Sequence, residues 1–219
     1  MKEMAIPQRL AGLGNAKWRL HIKAKELAAQ GHDIIEMTIG EPDVPTPPEL
    51  VEAAYDAMRN GRTTYSNGAG ETGLRNALAK RYAHRSQRQI TNDQVLCFPG
   101  AQTALFTVLM GVAESGCEVL VGDPMYATYE GVIRASGANV VPVPLRPENG
   151  FRIAVQDIAE RISPKTSAIL LTTPHNPTGS ILTDAEIEAI GALAIAHDLW
   201  IISDEVYSEL VFDGAKFSS

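Results

Sequence analysis

The sequence predicts an α/β protein of three layers, with helices on both faces of a mostly parallel sheet. From about residue 70 onward, short apolar runs alternate with segments of helical periodicity, a pattern typical of parallel sheets. One apolar run, Trp200 to Ser203, is followed at once by Asp204 and then by Tyr207. Because ligands of open α/β sheets bind at the carboxyl ends of the strands, this stretch is the first candidate site.

The residues before this region predict a different organisation. A helix is expected from Ala16 to Gln30, and a turn followed by a short strand is expected over 31–40. Four prolines within 41–48 exclude a helix interior there and predict an extended connector. A second helix is expected to start at Thr46 or Pro47 and to run to about Asn60.

The alternation that follows defines the remaining elements. The expected helices are Thr72 to Arg85, Ala101 to Glu114, one after Pro124, one near Val155 to Ile162, and one that runs to about Asp198. This last helix begins with a capping box, in which Thr183 caps the helix and Glu186 reaches back. The expected strands are Gln94 to Phe98, Glu118 to Gly122, Asn139 to Pro144, Ala168 to Leu171, and Trp200 to Ser203.

Composition and charge exclude several classes of protein. The 219 residues carry a net charge of −7, which argues against a nucleic-acid or anionic-membrane partner. The apolar runs are too short for a membrane span, and the first residues lack the apolar stretch of a signal peptide. Cys97 and Cys117 form no C-x-x-C pair, so we expect a reduced, cytoplasmic protein without a metal site.

Two further polar clusters follow predicted strands. The turn at Gly100 opens a helix at Ala101 and Gln102, where free backbone N–H groups bind phosphate well, although an ordinary turn would look the same. Tyr126 could stack on a flat ring, or it could simply pack against Tyr129.

The remaining polar motifs are weaker indicators. Asn176 lies in a loop fixed by two prolines and offers both a donor and an acceptor. Its neighbour His175 has no second ligand at metal spacing, so we interpret it as structural or solvent-facing. Residues 68–73 match G-x-G-x-x-G, but polar residues precede them, which favours a loop over a nicotinamide site.

Taken together, six motifs resemble the class I/II aminotransferases, which are fold-type-I pyridoxal-phosphate enzymes. The resemblance covers about residue 6 to the end, and two stretches are similar to arginine–pyruvate transaminases within that family. The motifs are Gly-Glu-Pro-Asp (40–43), Tyr65 with Gly70-x-x-Gly-Leu-Arg75, Pro-Gly-Ala-Gln (99–102), Asp-Pro-x-Tyr-x-x-Tyr (123–129), Asn-Pro-Thr-Gly (176–179) and Asp-Glu-Val-Tyr (204–207).

The resemblance implies pyridoxal 5'-phosphate as the cofactor and a role for each matching residue. Asp204 would pair with the pyridinium nitrogen, Asn176 and Tyr207 would bind the ring hydroxyl oxygen, and Tyr126 would stack on the ring. The turn formed by Gly100, Ala101 and Gln102 would hold the phosphate.

The same resemblance extends beyond the ring. Tyr65 would reach the phosphate of a neighbouring subunit, which implies a homodimer with shared sites. The resemblance also implies a role in amino-acid metabolism and biosynthesis. The backbone of Ile39 and Gly40 would lie near the substrate carboxylate. The peptides Asp123–Pro124 and Asn176–Pro177 are candidates for the cis form.

One departure from the family pattern limits this interpretation. The family's Schiff-base lysine follows the Asp-Glu-Val-Tyr motif by some tens of residues, and Lys216 follows it too closely and lacks the usual context. We therefore expect an N-terminal portion of a longer enzyme, inactive by itself. Residues 1–45 would form an N-terminal arm and the start of a small domain, and 46–219 the first part of a large domain, incomplete at the C-terminus.

Two alternatives stay open on the sequence alone. The chain could belong to another pyridoxal-phosphate enzyme on the same scaffold, such as a carbon–sulfur lyase or a synthase. It could also be a catalytically inactive fragment. We further expect the strand Gln94 to Phe98 to be left with an unpaired edge, because the family inserts two later strands between it and the strand at Ala168 to Leu171.

Overall fold

A computed structural model describes residues 8–13, 18–40 and 42–219. The chain divides into two compact units. The first combines the described residues of the N-terminal 13 with Phe98–Ser219, and the second contains those of Gly14–Cys97. The predicted starts at Ala16 and Glu41, for a helix and for the connector, lie outside the described residues.

The first unit is built on a four-stranded parallel sheet, as predicted. The strand order is β2-β1-β3-β4, so every neighbouring pair in the sheet is parallel. β4 lies beside β3 and is an edge strand within the described part of the chain. The strands are β1 (Glu118–Asp123), β2 (Asn139–Pro144), β3 (Thr166–Thr172) and β4 (Trp200–Asp204).

The described residues form seven α-helices, four in the first unit and three in the second. The helices of the first unit are α4 (Ala101–Val112), α5 (Tyr129–Ser136), α6 (Val155–Ala159) and α7 (Asp184–Ala196). Those of the second unit are α1 (Arg19–Ala29), α2 (Pro48–Arg59) and α3 (Thr72–Ser86). No helix in the described ranges is both long and apolar enough to cross a membrane.

Two separate cores confirm the three-layer arrangement. Successive residues of a strand point to opposite faces of a sheet. Val119 and Val121 of β1 accordingly pack with α4 and α5, whereas Leu120 packs on the other side. The second core contains buried residues of α6 and α7, including Ile158 and Ile190. Each face of the sheet is therefore covered by two helices.

The capping box that was predicted for α7 is present. The Thr183 hydroxyl accepts a hydrogen bond from the Glu186 N–H at 3.2 Å, and the Glu186 carboxylate accepts one from the Thr183 N–H at 2.8 Å. Burial tends to raise the pKa of Glu186, but hydrogen bonds from Thr183 and Arg152 outweigh it and lower the pKa. The charged carboxylate therefore stabilises the start of the helix.

Two helices are shorter than expected. α5 begins at Tyr129, because the residues after Pro124 form a turn, and α6 ends at Ala159 and not near Ile162. The short α6 is anchored by its buried Asp157, which accepts hydrogen bonds from the Arg146 guanidinium. These bonds also lower the pKa of Asp157.

The prediction of a strand within 31–40 was wrong. The segment is irregular, and Ile35 and Met37 are 86% and 87% exposed. Side chains attach the segment to α1, since Lys25 lies 2.9 Å from the Glu36 carboxylate and His21 contacts both Glu36 and Thr38. The alternating pattern is that of a strand, but no strand among the described residues pairs with it.

The predicted strand from Gln94 to Phe98 is also absent. Gln94 ends a short 3-10 helix, and residues 95–98 are irregular. Arg75 donates hydrogen bonds to the carbonyl oxygens of Asn92 and Val95 at 2.6 and 2.9 Å. The Cys97 N–H donates to the Ala69 carbonyl oxygen at 3.0 Å. These contacts replace a strand ladder.

Candidate active site

The carboxyl ends of β3 and β4 meet at one edge of the sheet, where Thr172 pairs with Asp204. A cavity of about 150 Å³ opens at this edge. Its walls come from the strand ends, the loops that follow them and the first turn of α4. The predicted site residues among them are Ala101, Gln102, Tyr126, Asn176, Asp204 and Tyr207.

Asp204 is the central charged group of this cavity. Its side chain is buried, its Oδ1 accepts a hydrogen bond from the Val206 N–H at 3.3 Å, and its Oδ2 accepts one from the Tyr129 hydroxyl at 2.7 Å. None of the ion pairs between described residues includes Asp204, although a buried carboxylate is costly without a charged partner. The cavity is therefore suited to a ligand that presents a cationic nitrogen.

Tyr129 and Thr172 belong to the site, but the sequence analysis did not assign them to it. The Tyr129 hydroxyl lies 2.7 Å from the Thr172 hydroxyl as well as from Asp204. Burial and the Asp204 carboxylate raise the pKa of Tyr129 above its ordinary value, so the hydroxyl keeps its proton. The spacing of Tyr129 from Tyr126 was noted in the sequence, but the partner of its hydroxyl depends on strand pairing.

Tyr126 packs against Tyr129, and its stacking on a flat ring stays a prediction. Its ring contacts the ring of Tyr129 edge-on, with the centroids 5.5 Å apart and the planes at 80°. It also lines the cavity and remains 39% exposed. One face is thus available for a flat ligand while the neighbouring tyrosine fixes the ring.

Asn176 and Tyr207 form a pair on the cavity wall. The Asn176 amide donates a hydrogen bond to the Tyr207 hydroxyl oxygen at 3.0 Å. The loop that carries Asn176 is closed by the His175 ring, whose Nδ1 lies 2.7 Å from the Thr178 hydroxyl oxygen. The structural reading of His175 is therefore confirmed. The peptides before Pro124 and Pro177 are cis, as expected, and so is the peptide before Pro174.

The first turn of α4 provides backbone donors. Gly100, with φ +93°, precedes the helix and makes no side-chain capping bond. The first N–H groups of an α-helix lack intrahelical partners. Since Ala101 and Gln102 line the cavity, their N–H groups and the helix dipole make this wall suitable for an anion.

Comparison with known proteins identifies the family of the chain. The family model for aminotransferase class I and II matches residues 32–219. The chain belongs to this family. It is 45% identical to an arginine–pyruvate transaminase of Pseudomonas aeruginosa over 100% of the chain and 56% of that protein. It is 35% identical to an aspartate aminotransferase of Geobacillus stearothermophilus over 99% of the chain and 55% of that protein.

Solved aminotransferase structures share the fold. The aspartate aminotransferase of Thermus thermophilus with maleate superposes with a TM-score of 0.91 at 34% identity, covering 98% of the chain and 56% of the solved one. The alanine aminotransferase of Pyrococcus furiosus gives a TM-score of 0.92 at 28% identity, covering 98% and 55%. The chain spans about half the length of the curated relatives it matches. The cofactor of this aminotransferase family is pyridoxal phosphate.

Three predicted residues of the aminotransferase chain lie in the second unit, and their roles stay predictions. Tyr65 is fully exposed, and Ile39 and Gly40 are exposed as well. Lys216 lies in the first unit but does not line the cavity. Its ammonium group is largely exposed and lies 3.9 Å from the Asp184 carboxylate.

Proposed function

We propose that the chain forms the cofactor-binding part of a pyridoxal-phosphate-dependent aminotransferase, which moves an amino group from an amino acid to a 2-oxo acid. The observation that carries this proposal is the buried Asp204 carboxylate, which faces a cavity without a cationic partner among the described ion pairs. A protonated pyridine nitrogen would supply the missing charge. The family membership gives independent support.

Each wall of the cavity would bind one part of the cofactor. Asp204 would hold the proton of the ring nitrogen, and the cofactor with this proton would supply an electron sink for charge that develops on the amino acid. Tyr126 would cover the ring face and exclude water from it. Asn176 and Tyr207 would share their hydrogen-bonding groups with the ring hydroxyl oxygen.

The phosphate would lie at the first turn of α4. The N–H groups of Ala101 and Gln102, with the turn at Gly100, offer donors without a basic side chain. The described residues that line this cavity include no lysine or arginine, so the contacts of this chain with the phosphate would come from backbone donors. Because no lysine lines the described cavity, we expect the 219-residue chain to be inactive by itself.

The finer assignments rest on the relatives. The 45% identity to an arginine–pyruvate transaminase makes arginine the first amino donor to test and pyruvate the first acceptor. We infer a cytoplasmic homodimer of amino-acid biosynthesis, in which Tyr65 completes the partner's phosphate site and the backbone of Ile39 and Gly40 binds the substrate carboxylate. We propose that residues 1–45 form an N-terminal arm and the start of a small domain. Residues 46–219 would form the first part of the large domain.

The test is an amino-transfer assay on the protein expressed from its complete gene. With pyridoxal phosphate, arginine and pyruvate, alanine should form, whereas Asp204→Ala should lower its rate by at least about a hundredfold. Glu188→Gln, which removes an exposed carboxylate of α7, should leave the rate unchanged. In a parallel assay with a sulfur-containing amino acid, release of ammonia and a thiol while neither mixture forms alanine would favour a lyase on the same scaffold and overturn the proposal.

A further inference from the structure

Two hydroxyl groups and one carboxylate form a continuous series of hydrogen bonds behind the candidate cofactor site. The Tyr129 hydroxyl lies 2.7 Å from Asp204 Oδ2 and 2.7 Å from the Thr172 hydroxyl oxygen. An ionised carboxylate only accepts hydrogen bonds, and a tyrosine hydroxyl has one proton to donate. Tyr129 therefore donates to Asp204, and Thr172 donates to Tyr129.

The three hydrogen-bonded side chains are held rigidly by the fold. Tyr129 is 1% exposed, and Thr172 and Asp204 are each 9% exposed. These side chains come from three elements, since Thr172 ends β3, Asp204 ends β4 and Tyr129 begins α5. A water molecule has little access to the buried tyrosine hydroxyl. Water therefore cannot replace this hydroxyl as the donor to the carboxylate without a change in packing.

We propose that Tyr129 is a positioning residue that fixes the Asp204 carboxylate toward the ring nitrogen of the cofactor; this rests on the proposed function. Oδ2 is held by Tyr129 and Oδ1 by the Val206 N–H. With both oxygens hydrogen-bonded, rotation of the carboxylate about its χ2 bond is restricted while Asp204 lines the cavity. Thr172 acts one step further back by fixing the direction of the tyrosine O–H.

The test uses pyridoxamine 5'-phosphate and the whole 219-residue chain. This compound forms no covalent bond with lysine, so its fluorescence reports only the non-covalent site. Affinity and the pH midpoint of the bound fluorescence are measured from about pH 5.5 to 9. The variants are Tyr129→Phe, Asp204→Asn, the double variant and Thr172→Val, with Tyr82→Phe on α3 as a control that also removes a tyrosine hydroxyl.

A positioning role predicts a specific pattern. Tyr129→Phe should weaken binding about tenfold, because a hydrogen bond to a charged group is lost. Its pH midpoint should fall between those of the wild type and Asp204→Asn, since the ring nitrogen keeps its proton less well. In the Asp204→Asn background the same change should alter affinity by less than about twofold. Thr172→Val should shift both quantities in the same direction by a smaller amount.

Other outcomes separate this inference from the proposed function. If the wild type binds but Tyr129→Phe leaves the pH midpoint unchanged or adds fully to Asp204→Asn, the tyrosine has only a packing role and the inference fails alone. If Tyr129→Phe does not fold, Thr172→Val decides by the same two readouts. If the wild-type chain does not bind the compound, the proposed site and the inference both fail.

Discussion

The partly buried His175 gives a residue-scale expectation with a pH-dependent consequence. Burial lowers the pKa of His175 below its ordinary value, and its ring closes the loop that carries Asn176. As the pH falls below about 6.5, the unfolded chain therefore takes up a proton more readily than the folded one. The contribution of neutral His175 to stability is present above that pH and declines below it.

This expectation can be measured by urea unfolding between about pH 7.5 and 5. The wild type should lose more stability over that interval than His175→Gln, which cannot gain the charge. His197→Gln removes an exposed histidine after α7 and should behave like the wild type. Equal pH slopes for the wild type and His175→Gln would show that burial of the ring has no such effect.

Gly70 is a residue whose backbone conformation requires glycine. Its φ is +103°, and a Cβ at this position would lie 2.6 Å from the Cβ of Cys97. Gly70→Ala should lower the free energy of unfolding by about 2 kcal/mol, because both the backbone angle and the contact oppose a side chain. Gly68→Ala is the matched control, since a Cβ there would meet nothing within 4 Å. A similar loss in both variants would contradict this account.

At the scale of elements, the capping box of α7 predicts a defined cost. Thr183→Ala removes the acceptor for the Glu186 N–H and one donor to its carboxylate, and should cost about 1 kcal/mol in urea unfolding. Thr107→Ala in α4 removes a hydroxyl that bonds back to the Thr103 carbonyl oxygen and no cap, so it should be nearly neutral. An equal cost for the two changes would mean that the cap does not stabilise α7.

The elements that pair with one another were predictable from local pattern. β1 to β4 carry apolar residues in short runs, which are buried in β1 and β3, and the structure forms each strand within two residues of the predicted ends. The segments 31–40 and Gln94–Phe98, which were predicted as strands, also carry apolar residues in short runs. They have no partner strand in the described chain. A strand pattern states a preference, whereas a strand also needs a neighbour to receive its backbone hydrogen bonds.

The site was predictable in part for the same reason. Asp204, Asn176 and Tyr126 lie at the end of a strand or a few residues after one. Parallel pairing of the strands therefore brings them to one edge of the sheet. The bond between Tyr129 and Asp204 spans 75 positions and depends on where α5 begins. Periodicity predicts neither the partner of the Tyr129 hydroxyl nor the alignment of Thr172 with Asp204.

At the scale of the whole molecule, we expect the cavity to bind the cofactor without forming a covalent bond to it. No lysine lines the cavity in the described chain, and Lys216 lies against Asp184. Borohydride reduction of the chain with pyridoxal phosphate should therefore leave no stoichiometric adduct when the intact mass is measured. A single specific adduct would show that one of the lysines present reaches the cofactor, and Lys216 would be the first to examine.

The most direct test of the central claim is a crystal structure of the chain grown with pyridoxal phosphate. The account predicts the ring nitrogen within hydrogen-bonding distance of the Asp204 carboxylate, about 2.6–3.0 Å. It also predicts Tyr126 against the ring and the phosphate at the N–H groups of Ala101 and Gln102. A cofactor bound elsewhere, or a ring whose nitrogen faces away from Asp204, would contradict it.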